Sequence, residues 1–137
     1  MISETAHKIR HRKYANDEFM TPPELANALV ELVPLAAGND VIDPCPGDGA
    51  FYNAFPGFVF KSKITGDFFL YNRNTEWIIS NPPYSNLEKW LEHSFDIAKI
   101  GVAYLLGLHN ITPRRLKLAN DYGFGLTKMH LCKVFNW

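Results

Sequence analysis

The sequence predicts an α/β fold in which a mostly parallel central sheet carries helices on both faces. Short apolar runs typical of buried strands alternate with segments whose apolar residues recur at helical spacing. Strands that alternate with helices pair in parallel, because each helix returns the chain to the same edge of the sheet. With 137 residues, the chain is long enough for one domain around a single core.

The first predicted helix begins at a Thr-Pro-Pro-Glu run. Thr21 is a typical N-cap residue, Pro22 suits the first helical position, and Glu24 can reach back to the cap. One apolar stripe follows at helical spacing, formed by Leu25, Leu29, Leu32 and Val33. Pro34 and Gly38 are expected to end this helix.

The middle of the chain is predicted to form three strands and one short helix. Residues 41–43 are a buried strand, residues 44–49 an irregular loop rich in Pro and Gly, and residues 50–55 a short helix. The other elements predicted here are a strand at 58–60, a turn at 66–69 and a strand at 77–80.

A second capping pattern, at residues 85–88, opens the next predicted helix. Its apolar stripe consists of Leu87, Trp90, Leu91, Phe95 and Ala98. We expect Gly101 to end this helix and a long apolar strand to follow at 102–108. The last predicted elements are a helix from Thr112 to near Gly123 and a strand at 126–135.

Charge and cysteine usage narrow the class of protein. The 14 Lys and Arg residues balance 14 Asp and Glu residues, yet four basic residues cluster near the start, at Lys8, Arg10, Arg12 and Lys13. Residues 1–16 are therefore either a solvated basic tail or an arm that contacts phosphates, and composition does not choose between them. The two cysteines are too far apart for a metal-ligand pattern, so no metal is expected. No apolar run approaches the ~20 residues that span a bilayer.

The loop after the first strand, residues 44–49, has the first unusual sequence. Gly47 and Gly49 allow a sharp turn and a close approach of the backbone to a ligand. The helix that follows is expected to offer free N–H groups to a carboxylate or phosphate of a ligand. Tyr52 stands where a dinucleotide motif has its third glycine. The other interpretation is a tight strand-to-helix turn. We call residues 44–49 the glycine loop.

The second unusual loop is Asn81-Pro82-Pro83-Tyr84, which follows the strand at 77–80. Two prolines remove backbone donors, so the loop presents carbonyl oxygens. The Asn side chain adds an acceptor and a donor, and the Tyr ring adds a flat face. The set fits a planar group with an exocyclic amine, although a stiff turn with an exposed Tyr is the alternative. We call residues 81–84 the Asn-Pro-Pro-Tyr loop.

With both loops in view, the sequence resembles the S-adenosylmethionine-dependent DNA adenine-N6 methyltransferases. The resemblance covers residues 19–137 and rests on four segments in the order of the gamma arrangement of that family. They are Phe19-Met20-Thr21-Pro22, the run from Asp43-Pro44 to Gly47-Asp48-Gly49-Ala50-Phe51, Gly66-Asp67-Phe68-Phe69, and Asn81-Pro82-Pro83-Tyr84. It implies a Rossmann-like methyltransferase fold for residues 17–137, without the last strand and without a separate target-recognition domain.

The resemblance also implies roles for individual residues. Asn81 and the Pro82 carbonyl would hold the amine of a flipped adenine, with Pro83 beside it and Tyr84 stacked on the base. Asp67 would accept from the adenine amine of the cofactor, with Phe68 beside that ring. The remaining cofactor contacts would come from Thr21, Asp43, Pro44, Gly47, Asp48, Gly49, Phe51 and Asn81.

The implied partners are S-adenosylmethionine and DNA, with a second subunit or a homodimer to supply target recognition. A restriction-modification or phage enzyme in the cytoplasm of a bacterium or of a phage-infected cell is the setting that the resemblance suggests. The strand that usually ends in a ribose-binding acid carries Lys63 instead. A degenerate, non-catalytic DNA-binding protein and a glutamine-N5 or RNA methyltransferase are therefore the alternatives. The lone histidines, His93, His109 and His130, are expected to be surface or satisfied core residues.

Overall fold

A computed structural model describes residues 20–132 of the chain. In chain order the elements are α1 (Pro23–Glu31), β1 (Asp40–Asp43), α2 (Ala50–Ala54), β2 (Phe60–Lys63), a 3₁₀ turn (Phe68–Leu70), β3 (Thr75–Ser80), α3 (Leu87–Ile97), β4 (Ala98–Tyr104), a second 3₁₀ turn (Leu108–Asn110) and α4 (Pro113–Asp121). No helix within this part of the chain is long and apolar enough to cross a bilayer.

The four strands form one sheet in the order β2-β1-β3-β4, and every neighbouring pair is parallel. This arrangement confirms the predicted α/β class with a Rossmann-like parallel sheet. Ile42 of β1 pairs with Ser62 on one side and with Ile78 on the other. β1 and β3 are therefore the central strands, and their carboxyl ends lie side by side.

Helices cover both faces of the sheet because alternate strand residues point to opposite faces. Val41 and Ile79 face a core cluster that includes residues of α1 and α2. Ile42 and Ile78 face the other cluster, to which α3 contributes Ile97. The central strands are thus buried from both sides, which is typical of a parallel sheet.

Two strand boundaries were predicted wrongly. The strand expected at 58–60 begins at Phe60 and runs through exposed Lys61-Ser62-Lys63 as an edge strand. Such a strand pairs through its backbone, and its polar side chains discourage pairing with other chains. The strand expected at 102–108 begins at Ala98, immediately after α3. Gly101 therefore lies within β4 and does not end α3.

Two helix caps also differ from the prediction. α1 begins after Pro22 and has no side-chain cap, so Thr21 is not its N-cap. α3 begins after Asn86, whose φ is 56°, and this end also lacks a side-chain cap. The helix predicted to start at Thr112 is confirmed, and Thr112 is its N-cap, because its Oγ1 accepts from Arg115 N at 3.3 Å. Residues 126–132 form no strand, and the rest of the strand predicted at 126–135 lies outside the described residues.

Candidate functional site

The candidate site lies at the carboxyl edge of the sheet, where β1 and β3 are neighbours. The glycine loop follows β1, and the Asn-Pro-Pro-Tyr loop follows β3. Because these strands pair directly, the two loops emerge next to each other. In open parallel sheets this edge is where ligands bind.

The glycine loop is tightly folded. Gly47 and Gly49 both have left-handed backbones, with φ of +53° and +94°. The Met20 sulfur would lie 2.9 Å from a Cβ at Gly47, so the side chain of Met20 packs against this turn. The helix that follows the loop, α2, has only five residues, so its dipole is small, and the anion site at its start stays a prediction.

Thr21 and Asn81 meet in the site although they are 60 residues apart. Asn81 Nδ2 donates a hydrogen bond to Thr21 Oγ1 at 3.2 Å, and both residues are buried. The Thr-Pro segment, placed at the start of α1, is therefore joined to the Asn-Pro-Pro-Tyr loop. With Nδ2 directed at Thr21, the amide oxygen of Asn81 occupies the other end of the side chain.

A small cleft that opens to solvent lies between these segments. It brings together the predicted residues Thr21, Gly47, Asp48, Phe51 and Asn81. Its other lining residues are Met20, Cys45, Pro46 and Ala50. Three of the four segments that carry the resemblance therefore meet around one space, and the segment at residues 66–69 does not line it.

Asp43 lies beneath the glycine loop and does not line the cleft. Its Oδ1 accepts from Ser80 Oγ at 2.6 Å and from Cys45 N at 3.1 Å, and only 1% of the residue is exposed. Burial raises the pKa of this carboxyl from 3.8 to about 6, although the bonds from Ser80 and Cys45 and the charge of Lys63 lower it. Asp43 thus supports the loop, which corrects the expectation that it contacts the cofactor directly. Pro44, which follows it, is buried as well.

Sequence reasoning missed Ser80, which is completely buried at the end of β3. Its hydroxyl lies between the Asp43 carboxylate and the Cys45 amide, at 2.6 and 3.3 Å. A serine directly before Asn81, beside an aspartate that ends the neighbouring strand, is the signal that could have revealed this contact.

Asp67 and Phe68, which the resemblance assigns to the adenine of the cofactor, differ in their exposure to solvent. Asp67 is exposed, and its carboxylate accepts from Phe69 N at 2.9 Å, which caps the first 3₁₀ turn. Phe68 is only 2% exposed and stacks on Trp90 with ring centroids 4.8 Å apart. Its ring belongs to the core, so the expected contact with a cofactor ring is not supported. Phe69 is the exposed aromatic residue of this turn.

Lys63 lies at the carboxyl end of β2, in register with Asp43. Its ammonium is 5.0 Å from the centroid of the Tyr52 ring, and that of Lys61 is 4.7 Å from the same centroid. Two cations on one aromatic face form a positive patch next to the end of β1. Lys63 therefore stands where the resemblance would place a carboxylate.

The remaining predicted residues take varied positions. Pro82 is buried, whereas Pro83 and Tyr84 are half-buried in the Asn-Pro-Pro-Tyr loop. The four predicted DNA-backbone residues lie outside the described residues. They are Lys8, Arg10, Arg12 and Lys13.

The histidines agree with the prediction that they are surface or satisfied core residues. His93 Nε2 lies 2.7 Å from the carbonyl oxygen of Tyr71, and the ring packs edge-on against Phe68. His109 and His130 are exposed. Within residues 20–132, no three His, Cys, Asp or Glu side chains are grouped so as to hold a metal ion.

No protein-family model and no curated protein sequence matches this chain. Function is therefore inferred from the fold and from the geometry of the cleft.

Proposed function

We propose that the protein is a DNA methyltransferase that transfers a methyl group from S-adenosylmethionine to the N6 amine of a flipped adenine. The observation that carries this proposal is the contact of Asn81 Nδ2 with Thr21 Oγ1, 3.2 Å long and buried. It fixes the amide so that the oxygen, and not the nitrogen, can accept from an exocyclic amine in the cleft. An amide held the other way would present a donor to a donor.

Acceptance of hydrogen bonds is the chemical assistance that an adenine amine needs. Its lone pair is delocalised into the ring, so the nitrogen is a poor nucleophile. The Asn81 oxygen and the Pro82 carbonyl, accepting one N–H each, favour a tetrahedral nitrogen whose lone pair points at an electrophile. Positioning of this kind supplies much of the rate enhancement without a strong base.

The residues of the cleft fit the amino-acid end of S-adenosylmethionine, which supplies an electrophilic methyl group when bound. The left-handed turn at Gly47 lines the cleft without a Cβ, beside the side chain of Met20, whereas Gly49 is buried and does not line the cleft. The exposed carboxylate of Asp48 suits an ammonium group, and Thr21 lines the same cleft. Asp67 remains the proposed acceptor for the adenine amine of the cofactor.

Tyr84 is the proposed stacking partner of the target base. An adenine inside a duplex cannot be reached, so it must leave the stack at a cost of a few kcal/mol. A half-buried Tyr three residues after Asn81 can return about 1–3 kcal/mol by stacking. The base would then lie with its amine toward Asn81.

The test is methyl transfer by Asn81→Ala. We expect transfer to DNA adenine to fall below a tenth of the wild-type rate, because the amine loses one acceptor. Titration calorimetry with S-adenosylhomocysteine should give an affinity within a few-fold of wild type. Detection of N6-methyladenine in hydrolysed DNA is the primary measurement, and it separates this activity from RNA or glutamine methylation.

Asn39→Ala is the matched control for this experiment. Asn39 is also 8% exposed, but it lies at the amino side of β1, where its Oδ1 accepts from Ala36 N at 2.8 Å. It should cost stability and leave the methyl-transfer rate unchanged. Retention of more than a tenth of the activity by Asn81→Ala would contradict the assigned mechanism.

The positive patch of Lys61 and Lys63 favours a second candidate, a methyltransferase-like fold that binds DNA without catalysis. A lysine at the end of β2 offers no acceptor to ribose hydroxyls, whereas it can contact a phosphate. Absence of S-adenosylhomocysteine binding at millimolar concentration, together with retained DNA binding, would support this candidate over the first.

A further inference from the structure

The carboxyl ends of all four strands are joined by hydrogen bonds that pass through Asp43 and Ser80. Ile64 N, just after β2, donates to the Asp43 carbonyl at 3.0 Å. Ser80 Oγ donates to Asp43 Oδ1 at 2.6 Å, and Leu105 N, just after β4, donates to the Ser80 carbonyl at 3.0 Å. Of these, the bond between Ser80 and Asp43 is the one made by side chains across the two central strands.

We propose that Ser80 is a positioning residue that holds the glycine loop at a fixed distance from the Asn-Pro-Pro-Tyr loop through its hydrogen bonds to Asp43 and Cys45. Its consequence for catalysis rests on the proposed function. Its consequence for the structure of the loop does not, and can be measured on the free protein.

The connectivity of the chain makes this bond effective. Asp43 directly precedes the glycine loop, and Ser80 directly precedes Asn81. The Cys45 amide donates toward both Asp43 Oδ1 and Ser80 Oγ, at 3.1 and 3.3 Å, so the first turn of the glycine loop is tied to both strands. Any lateral movement of this turn must lengthen bonds to Ser80.

Burial prevents water from replacing the serine. Ser80 is 0% exposed and Asp43 is 1% exposed. In a Ser80→Ala variant the Cys45 amide keeps Asp43 Oδ1 as its one acceptor, while the carboxylate loses the hydroxyl donor and keeps only the Cys45 amide. The buried carboxylate can regain a hydrogen-bond donor only if the glycine loop moves, because the sheet on either side is fixed by strand pairing.

A native reporter lies in the glycine loop. Cys45 is half-buried and lines the cleft, so its rate of labelling by a thiol-specific disulfide reagent measures the opening of the loop. The other cysteine, Cys132, is removed by a Cys132→Ser background. Labelling is measured at pH 8 under conditions where opening is fast relative to reaction.

Ser80→Ala is expected to raise the Cys45 labelling rate about tenfold or more. The matched control is Ser94→Ala, because Ser94 is also 0% exposed but its hydroxyl bonds to Trp90 O in α3 and to Tyr104 OH at the end of β4, and not to the glycine loop. It should destabilise the protein and leave labelling within twofold of the background. Two substitutions at Asp43 test the acceptor. Asp43→Asn keeps an oxygen that accepts from Ser80 and Cys45, so Cys45 should be labelled slowly in this variant. Asp43→Ala has no such acceptor, so Cys45 should be labelled fast.

Equal acceleration by Ser80→Ala and Ser94→Ala would overturn the proposal, since global loosening would then explain both. If Ser80→Ala does not fold, amide hydrogen exchange of the wild-type protein tests the proposal instead. The Cys45 amide should be protected within about tenfold of the Ile42 amide of β1, and exchange at the rate of an unstructured peptide would overturn the proposal.

Activity separates this inference from the proposed function. We expect Ser80→Ala to lower kcat for adenine methylation about tenfold, with a smaller change in KM for DNA. If the wild type methylates no adenine, the proposed function fails while the labelling result still stands. If the wild type is active and Ser80→Ala labels slowly with full kcat, the positioning role fails alone.

Discussion

At the scale of single residues, Asp43 is a carboxyl group that is almost completely removed from water. It has one oxygen bonded to Ser80 and Cys45, whereas Oδ2 is buried without a hydrogen-bond partner. Desolvation of the charged form therefore outweighs the hydrogen bonds, and the pKa rises from 3.8 to about 6. A desolvated carboxylate under the glycine loop resembles the perturbed groups that cluster at functional sites.

The raised pKa of Asp43 predicts how stability varies with pH. Between about pH 4 and 6 the folded state binds more protons than the unfolded state, so the free energy of unfolding falls as pH rises through this window. The contribution is up to about 3 kcal/mol, from about 1.4 kcal/mol per unit of pKa. Denaturant unfolding of wild type and Asp43→Asn at pH 4 to 7.5 measures it as the difference between the two pH profiles.

The two profiles should diverge with rising pH, with the wild type losing stability relative to Asp43→Asn. Parallel profiles would mean that Asp43 has an ordinary pKa in the folded protein. Asp40, which is exposed at the other end of β1, provides the control substitution Asp40→Asn. It should leave the shape of the profile between pH 4 and 6 unchanged.

At the scale of elements, the sequence predicted which strands and helices exist better than where they begin. Apolar runs located β1 and β3, and an apolar stripe at helical spacing located α3, because these elements bury side chains on fixed faces. β2 was displaced because its residues are all exposed, so no apolar pattern marks them. The start of β4 was missed because Gly101 suggested a helix end, whereas its lack of a side chain accommodates Trp77 of β3.

Gly101→Ala tests that close approach. A Cβ at Gly101 would overlap the ring of Trp77, which pairs with it across β3 and β4. We expect a loss of about 1–3 kcal/mol in the free energy of unfolding, as for other overpacked sites. Gly57→Ala is the control, because nothing lies within 4 Å of its added Cβ, and it should be neutral or slightly stabilising. Equal unfolding midpoints for the two variants would contradict the packing role of Gly101.

At the scale of the whole molecule, the sequence predicted the edge of the sheet at which the candidate site lies. It did not predict which residues line the cleft and which are buried beneath it. Parallel strands placed the two loops together, and Thr21 lines the same cleft and contacts Asn81. Motif residues alone do not reveal burial, so Phe68 was assigned to a ligand although it completes the second core cluster. The Ser80 contact depends on tertiary register, which a single sequence does not contain.

The proposed binding of S-adenosylmethionine depends on single residues, on loops and on the whole fold. Thermal unfolding tests it on the whole chain. A ligand at a hundredfold excess over its Kd adds about 2.7 kcal/mol to the stability of the folded state. For a chain of this size that corresponds to a rise in Tm of roughly 6–10 °C. We expect S-adenosylhomocysteine to produce such a rise at millimolar concentration, and adenosine, which lacks the amino-acid end that the cleft is proposed to hold, to produce a smaller one.

Lys63→Glu should enlarge that rise, because a carboxylate at the end of β2 can accept from both ribose hydroxyls. Two such bonds contribute about 2–4 kcal/mol, or tens- to hundreds-fold in Kd. Lys61→Glu is the control with the same charge change, since Lys61 contacts the same Tyr52 ring but lies two residues before the carboxyl end of β2. A larger gain from Lys61→Glu, or an equal gain from both, would mean that net charge and not a ribose contact sets the affinity. A larger rise in Tm for Lys63→Glu alone would indicate that the ribose lies at the end of β2. Lys63 would then be the residue that weakens cofactor binding in this chain.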